Sequence, residues 1–216
     1  RPIAHDADES GELPNAIVNT GWEIGILPGS IPESMGGFGE ALSALTNVLA
    51  YEELAYGDLA LALRLMTPAT VALPLVLAGT DAQREAWLPI FLDETPPPVT
   101  SALIERSIRF DPTHPQTVAA RANGGYVLSG QKITVPLAEH AELLLVYAWN
   151  AEAGQVDGFL VPGDADGVQV GPREKLMGVR ALPTYPVTFD NVRIAANQRL
   201  GGENGLDFTH LLARSQ

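Results

Sequence analysis

The side chains able to do chemistry in this sequence are few and scattered. Cysteine is absent, which excludes thiolate nucleophiles, disulfides and cysteine-based zinc or iron–sulfur sites. No G-x-S-x-G, H-E-x-x-H or Walker loop occurs. His5, His114, His140 and His210 are widely spaced and read as surface or locally bonded residues, so no metal site is expected. Gly36-Gly37-Phe38-Gly39 lacks the strand before and helix after of a dinucleotide loop and reads as a turn. The stretch Glu105-Arg106-Ser107-Ile108-Arg109-Phe110-Asp111 carries two arginines. Its guanidinium groups suit phosphates or an acidic partner face; solvated charges on a loop are the alternative reading. No residue is assigned as catalytic.

These residues need a frame, and composition bounds it. The chain has 216 residues, 46% of them hydrophobic and 18% charged. That is a globular composition of one large domain or two small ones. Net charge is −13, with −11 in residues 1–98 and −2 in residues 99–216. An acidic chain repels a phosphate backbone, so no nucleic-acid partner is expected. No apolar run looks like a membrane span, residues 1–14 do not look like a signal peptide, and a cytoplasmic location is the expectation.

The first half reads as helical. Residues 39–56 place Leu42, Leu45, Val48 and Leu49 on one helical face. Residues 58–77 are rich in Ala and Leu and want burial among helices, with Pro68 and Pro74 breaking or kinking them. Thr80 and Gln83 form a capping box that starts a helix through Trp87. Pro96-Pro97-Pro98 cannot continue a helix and marks a domain boundary. The second half changes period. Asn123-Gly124-Gly125 is a turn signal before a strand at 126–132, and strands follow at 142–149, 158–162, 168–170 and 184–189. A small antiparallel barrel or sandwich is expected, and residues 206–213 look like the opening of a new helix.

Several phrases carry a likeness. They are Glu12-Leu13-Pro14, Gly25-Ile26-Leu27, and Ile31-Pro32-Glu33-Ser34-Met35-Gly36-Gly37-Phe38-Gly39. Tyr51-Glu52-Glu53-Leu54-Ala55 and Gly79-Thr80-Asp81-Ala82-Gln83-Arg84 with Trp87-Leu88-Pro89 follow. The second half adds Gly125-Tyr126-Val127-Leu128-Ser129-Gly130-Gln131-Lys132, Lys175-Leu176-Met177-Gly178-Val179-Arg180 and Val187-Thr188-Phe189-Asp190-Asn191-Val192. In this order, over residues 14–208, they resemble the acyl-CoA dehydrogenase family.

The resemblance implies an α+β multidomain fold: an all-α domain at 1–98, a β-barrel at 99–200, and the start of a truncated C-terminal helical domain at 201–216. It implies FAD between the barrel and a C-terminal bundle, with a glutamate of that bundle removing the α-proton while the flavin accepts the β-hydride. Acyl-CoA as substrate, an electron-transferring flavoprotein or similar acceptor, a homo- or hetero-oligomer and a place in fatty-acid metabolism are implied as well.

The family's flavin-facing phrases are altered here. Leu103 and Ile104 stand in the "L-T-E-P" phrase, with Ile104 where a threonine hydroxyl usually bonds the ring. Glu105 matches the family's acid there and is expected to pair with a nearby arginine. Thr134 replaces the usual aromatic shield, and Pro136 replaces a hydroxyl. Leu103, Ile104, Thr134 and Pro136 are therefore the cofactor candidates, and weak or absent flavin binding is the expectation. Phe110, where a serine usually stands, and Arg109 are the substrate candidates. Thr184 is read as a β-domain hydrogen-bonder. Activity is expected to need more than this chain. A non-catalytic partner subunit of a heteromeric enzyme, or an acyl-CoA- or protein-binding module without redox activity, are the alternatives.

Overall fold

A computed structural model describes residues 3–29, 31–39 and 43–214. The first half is helical: α1 (Ala4–Ser10), α2 (Asn15–Glu23), α3 (Ile26–Gly29), α4 (Ala44–Gly57), α5 (Leu59–Met66), α6 (Ala69–Ala78) and α7 (Asp81–Trp87). Local chemistry sets the ends. The Ser43 hydroxyl accepts from Thr46 N–H and opens α4, and an Asp58 carboxylate oxygen accepts from Leu61 N–H at 2.6 Å and opens α5. The break falls at Thr67-Pro68, where proline suits a first helical turn, and α6 runs on through Pro74. Taken together, 59–78 is long and apolar enough by composition to cross a bilayer, a point the sequence reading missed. In the structure Ala60, Ala62, Leu65, Ala69, Val71, Ala72 and Leu75 are buried in the protein core.

The face expected to bury α4 does not do so. Leu45, Val48 and Leu49 are 69%, 54% and 54% exposed, and Leu42 lies outside the described residues. Helix α4 meets α5 and reaches the core through Leu54 instead. Periodicity identifies a helix, but it does not say which face finds a neighbour.

The second half holds β1 (Val99–Ala102), β2 (Val118–Ala122), β3 (Gly125–Pro136), β4 (Leu143–Asn150), β5 (Gln155–Pro162), β6 (Val168–Val170) and β7 (Thr184–Ala195), then α8 (Phe208–Arg214). The strand order is β1-β4-β2-β3-β7-β6, with β5 paired to β4. The sheet is curled and mixed rather than wholly antiparallel, because β1 and β2 both run parallel to β4. They occupy successive stretches of one edge of β4, and the chain between them leaves that edge and returns to it. The reading of the sequence missed β1 and β2, which are short and weakly apolar. Asn123 and Gly124, both at positive φ, make the two-residue hairpin turn between β2 and β3.

Strand β4 joins the two halves. Leu143, Leu145 and Tyr147 belong to the core shared with the helices, alongside Val71, Leu75, Leu88 and Phe91. The alternate residues Leu144, Val146 and Ala148 pack inside the sheet's curl with Leu128, Phe159 and Phe189. A strand covered on both faces reads as a continuous apolar run, as 143–148 does.

Polar clamps fix the same joint. The capping box of α7 is present, with Thr80 and Gln83 exchanging bonds at 3.0 and 3.2 Å. The Gln83 amide also donates to the carbonyls of Asn197 and Arg199, and its oxygen accepts from Gly201 N–H. Asp157, fully buried, accepts from Arg199, Asn150 and Gln155 and from Leu206 N–H. Gly205 is required there, since a Cβ would sit 2.2 Å from an Arg199 nitrogen. Gln83→Ala removes a cap and strands buried carbonyls, so a loss of about 2–3 kcal/mol is expected, read from the denaturant midpoint.

Candidate functional site

The site is built on the connection between β1 and β2. Residues 106–115 form a surface loop whose two ends meet, an Ω-loop. The neck is closed by Glu105, whose carboxylate accepts from Gln116 N–H at 2.6 Å and from Thr117 N–H at 2.9 Å. The same carboxylate lies 2.7 Å from Lys132 Nζ on β3, and that ammonium also donates to the Leu103 carbonyl at 3.1 Å. Lys132 is fully buried and Glu105 nearly so. Glu105 therefore pairs with a lysine of the sheet and not with a nearby arginine as expected from sequence. The signal was present in Ser129-Gly130-Gln131-Lys132. Gly130 lets β3 pass the foot of the loop, where a Cβ would sit 2.6 Å from Thr117 Cα.

Burial by itself pushes the Glu105 carboxyl up. The Lys132 ammonium, with Thr117 and Gln116, more than reverses that and holds it below the usual carboxylate value. Burial pulls Lys132 down, and Glu105 offsets part of the shift. Glu105 is thus an ionised, fully engaged structural group and is not a free base.

The structure sets Leu103 and Ile104 beside the stretch of β3 that leads into Thr134 and Pro136. Ile133 N–H donates to the Ile104 carbonyl at 2.9 Å, and Lys132 bonds Leu103, so these residues adjoin the segment 134–136. Ile104 is 44% exposed. Thr134 sits in an irregularity of the β3–β7 ladder at φ 54°, a left-handed conformation unusual for a β-branched residue. Two anchors hold it there: Lys132 before it, and after it the Leu137 N–H to Pro183 carbonyl bond at 2.9 Å. Thr184, opposite Pro136, is buried and gives its hydroxyl to Glu174 at 2.8 Å, in line with its reading as a β-domain hydrogen-bonder.

Arg109 and Phe110 sit apart from that cluster, on the Ω-loop. Arg109 is exposed, and its backbone N–H donates to Ser107 Oγ at 3.3 Å. Phe110 is half-buried, while Ile108 between them and Ser107 is fully exposed. His114 at the far end of the loop is locally bonded, 3.0 Å from Asp111, and stacks on Trp149 with ring centroids 5.9 Å apart. It borders a cleft of about 550 Å³ that also meets Gln155, Asp207 and Thr209. Among the described residues no group of three or more potential metal ligands is present.

A helical layer packed on a curled mixed sheet, with a clamped loop at the sheet's end, defines an α+β protein. Comparison with known proteins makes the assignment specific. Residues 1–95 match the N-terminal domain of acyl-CoA dehydrogenase and residues 100–192 match the middle domain. The chain belongs to the acyl-CoA dehydrogenase family. It is 31% identical over 206 residues to a probable medium-chain specific acyl-CoA dehydrogenase of Caenorhabditis briggsae, covering 93% of this chain and 50% of that protein. Butyryl-CoA dehydrogenase from Megasphaera elsdenii superposes with a TM-score of 0.80 at 27% identity, over 93% of this chain and 54% of that one. Glutaryl-CoA dehydrogenase from Mycobacterium smegmatis in complex with FADH2 superposes with a TM-score of 0.83 at 24% identity, over 99% and 54%. The chain spans about half the length of these relatives.

The family thus implies FAD, and the residues present can be tested against it. The polar edge of an isoalloxazine ring carries acceptors at N1, O2, O4 and N5, so it needs donors. In the cluster, Ile104 and Pro136 have no side-chain donor and Pro136 has no N–H. Lys132 is sealed on Glu105 and Leu103, and the Ile133 and Leu137 N–H groups are bonded within the sheet. The unpartnered hydroxyls of Thr100 and Thr117 are fully buried and unavailable. Thr134 is left as the one side-chain hydroxyl of the cluster. This side-chain donor set does not fit the ring.

Lys132→Met is expected to cost about 3–5 kcal/mol, because it leaves a buried carboxylate unpaired. The double change Lys132→Met with Glu105→Gln should cost less than the two single changes added together. The lowered Glu105 value also predicts pH dependence. Its contribution is full above the ordinary carboxylate value of 4.5 and is lost as pH falls through the lower folded value. Unfolding curves from neutral to acid pH should therefore show a shallower acid limb for Glu105→Gln than for the wild type.

Proposed function

We propose that this chain supplies the helical and barrel domains of an acyl-CoA dehydrogenase-type oxidoreductase, one that converts an acyl-CoA thioester to its α,β-unsaturated form. The observation that carries this reading is the match of both halves, in one chain and in order, to enzymes of that activity. In this reading the base for the α-proton is not Glu105. Glu105, the one nearly buried carboxylate beside the cluster, is already committed to Lys132. The chain therefore acts with further residues, its own or those of a homologous subunit, and passes electrons to a flavoprotein acceptor. We place this activity in fatty-acid metabolism, in a cytoplasmic oligomer.

In this reading the Ω-loop meets the coenzyme end of the substrate. Arg109 faces solvent on a loop with a fixed neck, so it approaches a CoA phosphate as a mobile cation on a rigid mount. Phe110 beside it offers apolar surface to the pantetheine arm.

The partner-subunit reading is favoured by one specific observation, the poor donor set around Ile104 and Pro136. A subunit that cannot serve the ring fits an assembly whose other subunit does.

Acyl-CoA binding, followed by calorimetry with chain lengths from butyryl to palmitoyl, tests the proposal. Arg109→Ala is expected to weaken binding by about tenfold, the worth of one charge-assisted bond, and to lower the salt dependence. Absence of acyl-CoA binding by the full-length protein, alone and with a homologous subunit, would overturn the reading.

A further inference from the structure

The cluster at the end of the sheet is closed on itself. Most of the side-chain donors near it already have a partner inside the protein, the Thr134 hydroxyl being the exception. Lys132 bonds Glu105 and Leu103, Ile133 N–H bonds Ile104, Leu137 N–H bonds Pro183, and the Thr184 hydroxyl bonds Glu174. Freeing any of them for a ligand would break a bond of the fold. Lys132 is the most costly to recruit, because its release leaves the Glu105 carboxylate buried without a countercharge.

Two large apolar side chains here face solvent: Ile104 is 44% exposed, and Ile108, on the loop before β2 that also carries the exposed Arg106 and Arg109, is fully exposed. The polar edge of a flavin ring would meet the aliphatic Ile104 side chain there. The left-handed Thr134 points the same way. Its strained backbone is imposed from both sides by anchors within the protein, so it needs no bound ring to hold it.

From this donor accounting we infer that FAD is not a resident cofactor of this chain: the barrel end formed by Ile104, Thr134 and Pro136 does not hold an isoalloxazine ring. The inference rests on the acyl-CoA dehydrogenase reading only for the identity of the cofactor in question. Acyl-CoA binding is a separate measurement, so the two stand or fall independently.

The experiment is flavin content and FAD titration of the purified full-length protein, followed by visible absorbance and by quenching of flavin fluorescence. The wild type is expected to carry well under about one tenth of an equivalent of FAD after purification with FAD present, as micromolar or weaker affinity implies. Returning donors should create affinity. Ile104→Thr adds a hydroxyl at the exposed edge, and Pro136→Ser adds a hydroxyl and an N–H. The double variant is expected to bind FAD at least about tenfold more tightly than the wild type, as one or two added hydrogen bonds would give. Ile104→Thr alone, at an exposed position, retains the fold and gives a smaller gain if Pro136→Ser does not fold. One FAD per wild-type chain, or wild-type affinity unchanged by Ile104→Thr in a folded protein, would overturn the inference.

Discussion

The Glu105–Lys132 ion pair is the constraint on which the barrel end depends. It sits where three segments meet: the end of β1, the foot of the Ω-loop and the outgoing stretch of β3. A buried charge pair is poor value as a source of stability, because desolvation cancels most of its attraction. Its effect is to specify geometry. The carboxylate satisfies two backbone N–H groups that no strand pairing reaches, and the ammonium satisfies one carbonyl. The loop therefore has one closed neck, and Ile104 and Thr134 have one arrangement. Any ligand chemistry at this end works with positions that this pair has set.

A second layer of fixation joins the two halves. Strand β4 gives alternate side chains to two cores, so helices and sheet share one wall. Gln83 on α7 and Asp157 on β5 then take hold of the segment 197–206 from opposite sides. The segment leads directly into α8, and Tyr147 and Phe208 meet with ring centroids 5.1 Å apart at its start. The direction in which α8 leaves the sheet is thus set by buried polar bonds and an aromatic contact together.

The acidic balance also takes on a more local meaning. Most of the negative charge lies in residues 1–98, and the two halves are tied across it by Asp8, which accepts from Arg180 backbone and side chain between 2.8 and 3.1 Å. The Ω-loop, by contrast, shows Arg106 and Arg109 to solvent. The substrate proposed above is anionic, and these two cations stand on a solvent-facing loop.

Much of this was legible in the residues. Thr80 and Gln83 announced a capping box, Asn123-Gly124 announced the hairpin, and the period change after Pro98 separated helices from strands, because each is decided by neighbours in sequence. The colinear phrases were enough for the family. What the sequence could not tell was decided by partners distant along the chain. Leu45, Val48 and Leu49 have the spacing of a buried face yet remain exposed, since only packing says where a neighbour is. Strands β1 and β2 are too short to announce themselves and exist because β4 offers them an edge. Glu105 was expected to pair with an arginine a few residues away and instead pairs with Lys132, 27 positions on. Local chemistry therefore determined the elements and the family. The tertiary structure alone decided which donors are spent inside the fold and which remain for a ligand, because a donor's availability depends on what folding has brought beside it.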